Sequence, residues 1–235
     1  MMNHLRKVIL ILIGIISFAL LRCSDPTSPI VTEGTVKISL KRVGNITALG
    51  KSLNNAAFVT ISSAQVVIDE IEFENSFRDS LDFELEEPFV KDLLAGTTLH
   101  QIETIQIPFG SYEESEIEID ELNPSDSTTY AQNPELQDLS ILVKGYLNDD
   151  PLQTFTFSSA LEAEQEMEFE PPLVLNEASP TTNIVLTVNM DMWFVDSVGN
   201  PLDPNDLSNK NQIEENIKNS IDVFEDEDDD GEDDD

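Results

Sequence analysis

The sequence predicts an all-β protein: a mostly antiparallel sandwich or partly closed barrel, followed by one C-terminal helix and a disordered acidic tail. Three observations predict it. From Gly34 to Phe194, apolar and polar residues alternate at a period of two in one short run after another. Turn signals such as Asn148-Asp149-Asp150-Pro151 separate these runs. Helical spacing emerges once, after Pro204. Many short strands without intervening helices argue for a sandwich or barrel. No fixed-period repeat is evident, which argues against a solenoid or propeller.

Residues 1–22 read as a signal peptide. Arg6 and Lys7 precede a predominantly apolar segment of fourteen residues, Val8 to Leu21. A membrane-spanning helix needs about 20 predominantly apolar residues, so the segment suits a signal core better than a permanent span. A retained anchor is the competing reading. Cys23 is the one cysteine of 235 residues, so no disulfide within the chain is available. The run Leu20-Leu21-Arg22-Cys23 resembles the lipobox of bacterial lipoproteins, in which the cysteine takes a lipid. Arg22 departs from that pattern, where a small residue normally stands. Residues 23–33 carry two prolines and read as a lipidated tether.

The β domain is expected over 34–204. Val36, Ile38 and Leu40 alternate with Thr35, Lys37, Ser39 and Lys41. Residues 43–55 read as a loop. Strands are expected at 58–61, 64–73, around Leu81–Leu85, and at 89–94. Ile105 and Ile107 lead through the turn PFGSY at 108–112 to Ile117 and Ile119. Further strands are expected at 140–146, around Phe155 and Phe157, and around Met167 and Phe169, with Pro171-Pro172 breaking the last. The longest alternation puts Ile184, Leu186, Val188, Met190, Met192 and Phe194 on one face and Trp193 on the other. Ile213, Ile217 and Ile221 at spacing four, then Phe224, predict an amphipathic helix over 205–224. Residues 225–235, EDEDDDGEDDD, read as an acidic tail kept extended by like-charge repulsion.

GTVKISL, VTISSAQVVIDEIEF, VKDLLAG, IPFGSYEESEIEID and NIVLTVNMDMWF together resemble a group of bacterial cell-envelope lipoproteins carrying a β-sandwich domain of unknown function. The resemblance spans about Gly34 to Pro204. It implies location and fold, and it supplies no catalytic residues.

Charge bounds the partners. The chain has 47 acids and 12 Lys or Arg, a formal net charge of −35. Arg6, Lys7 and Arg22 precede Cys23 and no acid does. Beyond Cys23 the count is therefore 47 against 9, a net of −38. Such a field repels nucleic acid and anionic headgroups, so nucleic acid is excluded as a partner. The expected membrane contact is through lipidated Cys23, in the bacterial envelope at the outer membrane.

Catalytic residue types are scarce. His4 falls in the signal, which leaves His100 alone, without the context of a GxSxG or zinc motif. The sequence therefore predicts no enzyme. A hydrolase using paired carboxylates is the alternative, since acids are plentiful. Glu84, Glu116, Glu118 and Glu168 nevertheless read as a solvated strand face. Trp193 has two readings: a binding-surface aromatic for a glycan or protein ligand, or a side chain packed under a loop or the terminal helix. Asp226-Glu227-Asp228-Asp229-Asp230-Gly231 matches D-x-D-x-D-G, the first half of a calcium loop. Asp226, Asp228 and Asp230 would converge on Ca2+, with the Glu232 carbonyl and Asp234 adding ligands. The bidentate glutamate of the full loop has no counterpart in the sequence. Weak affinity, roughly 0.1 to 1 mM, is the matching expectation.

Overall fold

The computed structural model describes residues 32–44, 47–48 and 59–233, which belong to one unit. The expected signal peptide, Cys23, most of the tether and Asp234 lie outside them. Among the described residues, thirteen strands run in chain order. The first seven are β1 (Glu33–Val43), β2 (Thr47–Ala48), β3 (Val59–Ile68), β4 (Glu70–Asn75), β5 (Phe83–Leu85), β6 (Phe89–Asp92) and β7 (Leu99–Pro108). Then come β8 (Gly110–Ile119), β9 (Ile141–Leu147), β10 (Asp150–Ser159), β11 (Ala163–Leu175), β12 (Thr181–Asn189) and β13 (Ile221–Glu225). Two described helices, α1 (Ser127–Gln132) and α2 (Lys210–Lys218), accompany them with short 3-10 turns.

The strands form three sheets, none closed on itself, so the sandwich expectation holds and the barrel does not. The first sheet has the order β13-β12-β1-β7, with β1 parallel to β12 and the other neighbours antiparallel. The second has the order β10-β9-β3-β2, with β6 beside the later half of β3. The third has the order β11-β8-β4-β5. The chain passes between sheets along nearly continuous strands. Asp69 alone separates β3 from β4, and Phe109 alone separates β7 from β8.

One core fills the interior. Ile38, Leu40, Phe73, Tyr112, Ile117, Leu186 and Phe194 are among its buried side chains. Strands with one covered face show the alternation read from the sequence; on β8, buried Ile117 and Ile119 stand between half-buried Glu116 and Glu118. β12 is central and covered on both sides, so Ile184, Val185, Leu186 and Val188 are all buried. A smaller cluster of Val67, Leu122, Leu136 and Leu142, with Tyr130 of α1 against it, lies apart from the main core.

Three expectations change. Pro171 and Pro172 sit inside β11 instead of ending it, because β11 is an edge strand and the ladder to β8 slips between Glu168 and Leu173. The helix over 205–224 shrinks to α2; only Ile213 and Ile217 are its buried apolar residues. Ile221 and Phe224 belong to β13, paired with Val188 and Val185 of β12, after Asn219-Ser220 end the helix. The acidic tail is folded back from Glu225 to Glu232, held by hydrogen bonds of Asp226 and Lys41.

Candidate functional site

The C-terminal acidic run lies against the first sheet, on the side away from Ile38 and Leu40. Lys37, Ser39 and Lys41 point to that side of β1, and Asn183 and Val185 to that side of β12. Asp226 is 1% exposed and organises the segment. Its Oδ1 accepts from Asp230 N at 3.0 Å, and its Oδ2 accepts from Gly231 N at 2.9 Å and from Asn183 Nδ2 at 3.0 Å. The turn needs left-handed backbone at Asp229 (φ 60°) and Gly231 (φ 81°). A Cβ on Gly231 would also meet Leu99 Cδ2 at 2.6 Å.

Two lysines hold the far side of this loop. Lys41 Nζ donates to the Gly231 carbonyl and to Glu232 Oε1, the latter at 2.8 Å, and lies 5.9 Å from the centre of the Phe224 ring. Lys37 Nζ is 3.5 Å from Asp229 Oδ2. The repulsion that the sequence predicted is thus offset by a buried acceptor and two cations on β1. Carboxylate oxygens of Asp226, Asp228 and Asp230 lie within 4.8 Å of one another. This is a hard-oxygen donor set of the kind calcium takes. Asp226 already accepts three hydrogen bonds, and Glu232 turns to Lys41.

A groove of about 690 Å³ adjoins the loop. Its walls are β11 from Met167 to Leu175 on one side and the start of β12, Thr181 to Asn183, on the other. Glu225, Asp226, Glu227 and Asp229 line it too, as do Glu168 and Glu170. Lys37 is the basic residue in the lining. The volume falls in the range of small-ligand sites.

Trp193 is not a surface aromatic. It is fully buried, its Nε1 donates to Ser220 Oγ at 2.7 Å, and its ring meets Phe194 edge-on at 6.4 Å between centres. The alternation that placed it outward stops at Asn189, where Met190–Met192 form a 3-10 turn and redirect the chain. His100 bonds through Nδ1 to the Thr97 carbonyl oxygen, a local loop contact.

The third sheet carries a feature that sequence reading saw only as separate strands. Its outer face holds ten glutamates in register. Glu164–Glu118–Glu70, Glu166–Glu116–Glu72–Glu84 and Glu168–Glu114–Glu74 form three cross-strand rows. Crowding hampers their solvation and their charges repel, so Glu70, Glu72, Glu114 and Glu118 all hold protons to higher pH than usual. Glu116, at the centre, is pushed up to about 7, first by burial and then by Glu164, Glu72, Glu118 and Glu166. The alternation was legible; the register that aligns the acids was not.

No protein-family profile matches the chain, and no curated protein does. Among solved structures, MbnP from Methylosinus trichosporium is similar at 9% identity and a TM-score of 0.37, over 70% of this chain and 78% of that one. No described helix is long and apolar enough to cross a membrane.

Proposed function

We propose that the chain is a non-catalytic envelope protein, anchored at the outer membrane through a lipid on Cys23, whose β-sandwich binds a protein or glycan ligand bearing positive charge. The groove of about 690 Å³ beside β11 is the observation that carries this reading. Its acidic lining suits an ammonium or guanidinium group, and Met167 and Leu173 supply apolar wall. The clustered glutamates Glu114, Glu116 and Glu166 are not among the residues that line this groove, which weakens the case for a hydrolase there.

The test has two arms. Mass spectrometry of the native product reads Cys23: a diacylglyceryl thioether is expected, and an unmodified cysteine in soluble protein would overturn the anchor. A screen of glycans and basic peptides on the full chain is repeated with Thr181→Trp, which fills the groove. Hits that weaken at least tenfold support the site; hits unchanged by the filling residue sink it.

A second reading has its own observation, the three carboxylates of Asp226, Asp228 and Asp230 within 4.8 Å. Under it the loop takes Ca2+ and sets the charge of the groove lining that Asp226, Glu227 and Asp229 share. Calorimetry should show millimolar-range uptake that Asp228→Asn with Asp230→Asn abolishes. Uptake unchanged by the pair would rule the loop out.

A further inference from the structure

Every sheet has edges, and among the described strands all but one of the long ones are guarded. β11 presents Glu164, Glu166, Glu168 and Glu170 and then two prolines. β7 ends on Pro108, carries Glu103, and has its Ile102 carbonyl bonded by Lys91 Nζ from β6. β13 is five residues with two acids, β5 three residues and β2 two. Charge, proline, covering groups and shortness are the usual protections of a free edge.

Among the described residues, none of these protects β10 along Thr154–Ser158. It ends its sheet, pairs with β9 on one side only, and keeps regular register there from Thr154 to Ser159. From Pro151 to Leu161 the sequence PLQTFTFSSAL has no charged residue, in a chain carrying 47 acids. Thr154 and Thr156 are exposed while Phe155 and Phe157 point into the core against Phe194. The open stretch is bounded by Pro151 at one end and by the bond from Ser159 Oγ to Glu214 of α2 at the other.

We propose that β10 is a docking edge that adds one extended strand from a basic partner. Alternate backbone N–H and C=O groups of Thr154–Ser158 supply the hydrogen bonds, as in other strand-addition complexes. Charge chooses the occupant. Asp149 and Asp150 precede the neutral stretch, and Glu162 and Glu164 follow it. A second copy pairing antiparallel through β10 would set Asp149 and Asp150 of one chain near Glu162 and Glu164 of the other, and would bring together two bodies of strongly negative charge. A partner segment with a neutral, β-branched centre and Lys or Arg at both ends meets no such repulsion. This edge is separate from the groove, so each proposal stands or falls alone.

The probe is the labelled peptide Lys-Lys-Thr-Val-Thr-Val-Thr-Lys-Lys, added to the full chain in detergent at physiological salt. Anisotropy should report binding. A version with alternate backbone amides methylated, of equal charge, should bind at least tenfold more weakly. Hydrogen exchange should show new protection confined to 154–158. Equal binding of the two peptides would mean general attraction to an acidic surface and would overturn the proposal. So would absence of binding, protection at β7 or β13 instead, or equal binding of a glutamate-flanked peptide. Protection of 154–158 that rises with protein concentration and no peptide would make a second copy the occupant and would equally overturn it.

Discussion

Glu72 of β4 and Glu116 of β8 stand directly opposite each other in antiparallel register, and Glu166 of β11 flanks Glu116 on its other side. Three like charges in one row oppose folding whenever all are ionised. Because the folded-state pKa values of Glu70, Glu72, Glu114, Glu116 and Glu118 are raised, the folded chain holds more protons than the unfolded one. Their favourable contribution is complete below the ordinary glutamate range and fades as pH rises through about 7, where Glu116 titrates. Urea midpoints should therefore fall between pH 5 and pH 8. A midpoint that rises over that interval would contradict the assigned direction.

Neutralising the centre of the array should test the same point locally. Glu116→Gln is expected to raise stability at pH 8 by a few tenths to about 1 kcal/mol, the range for cross-strand pairs. At pH 5 the gain should shrink. Denaturant titrations at both pH values give the comparison.

Trp193 is the only tryptophan, so its emission reports its surroundings. A blue-shifted spectrum insensitive to added acrylamide is expected of a fully buried ring. Trp193→Phe loses the bond to Ser220 Oγ and should cost about 1 kcal/mol, whereas Trp193→Ala should cost about 3–5 kcal/mol.

Asp226→Ala would leave the Asn183 amide and the backbone N–H groups of Asp230 and Gly231 without their acceptor. A loss of about 1–3 kcal/mol is expected. Limited proteolysis should then cut at 227–233 faster than in the parent chain.

Gly145 of β9 has no room for a side chain. An added Cβ would stand 2.0 Å from the Thr60 carbonyl oxygen and 2.6 Å from Phe155 Cε1. Gly145→Ala should cost about 3 kcal/mol or more through displacement of β3 or Phe155. Thermal melting against the parent chain measures it.

The sequence exposed most strands because burying one face forces a period of two, as on β8 and on β1 around Ile38 and Leu40. It misled where a spacing continued across a boundary by coincidence. Ile213, Ile217 and Ile221 are four apart, yet Ser220 closes one element and Ile221 opens another. Pro171-Pro172 is a break only if the strand lies inside a sheet, and edge position is a tertiary fact. For the site, D-x-D-x-D-G was readable, but Asn183, Lys37 and Lys41 are brought to it from strands far earlier in the chain. Composition suggested repulsion in the tail; only the pairing of β1 with β12 supplies what overcomes it.

That pairing also sets a schedule. β1 begins at Glu33, but its two neighbours are β7, from Leu99, and β12, from Thr181. The first strand must wait for about three quarters of the described chain before its sheet can close, and contacts so distant in sequence are slow to form. A chain lengthening from its N-terminus keeps Val36, Ile38 and Leu40 wet until late, so assembly belongs to the finished polypeptide and a fragment ending before β12 should aggregate.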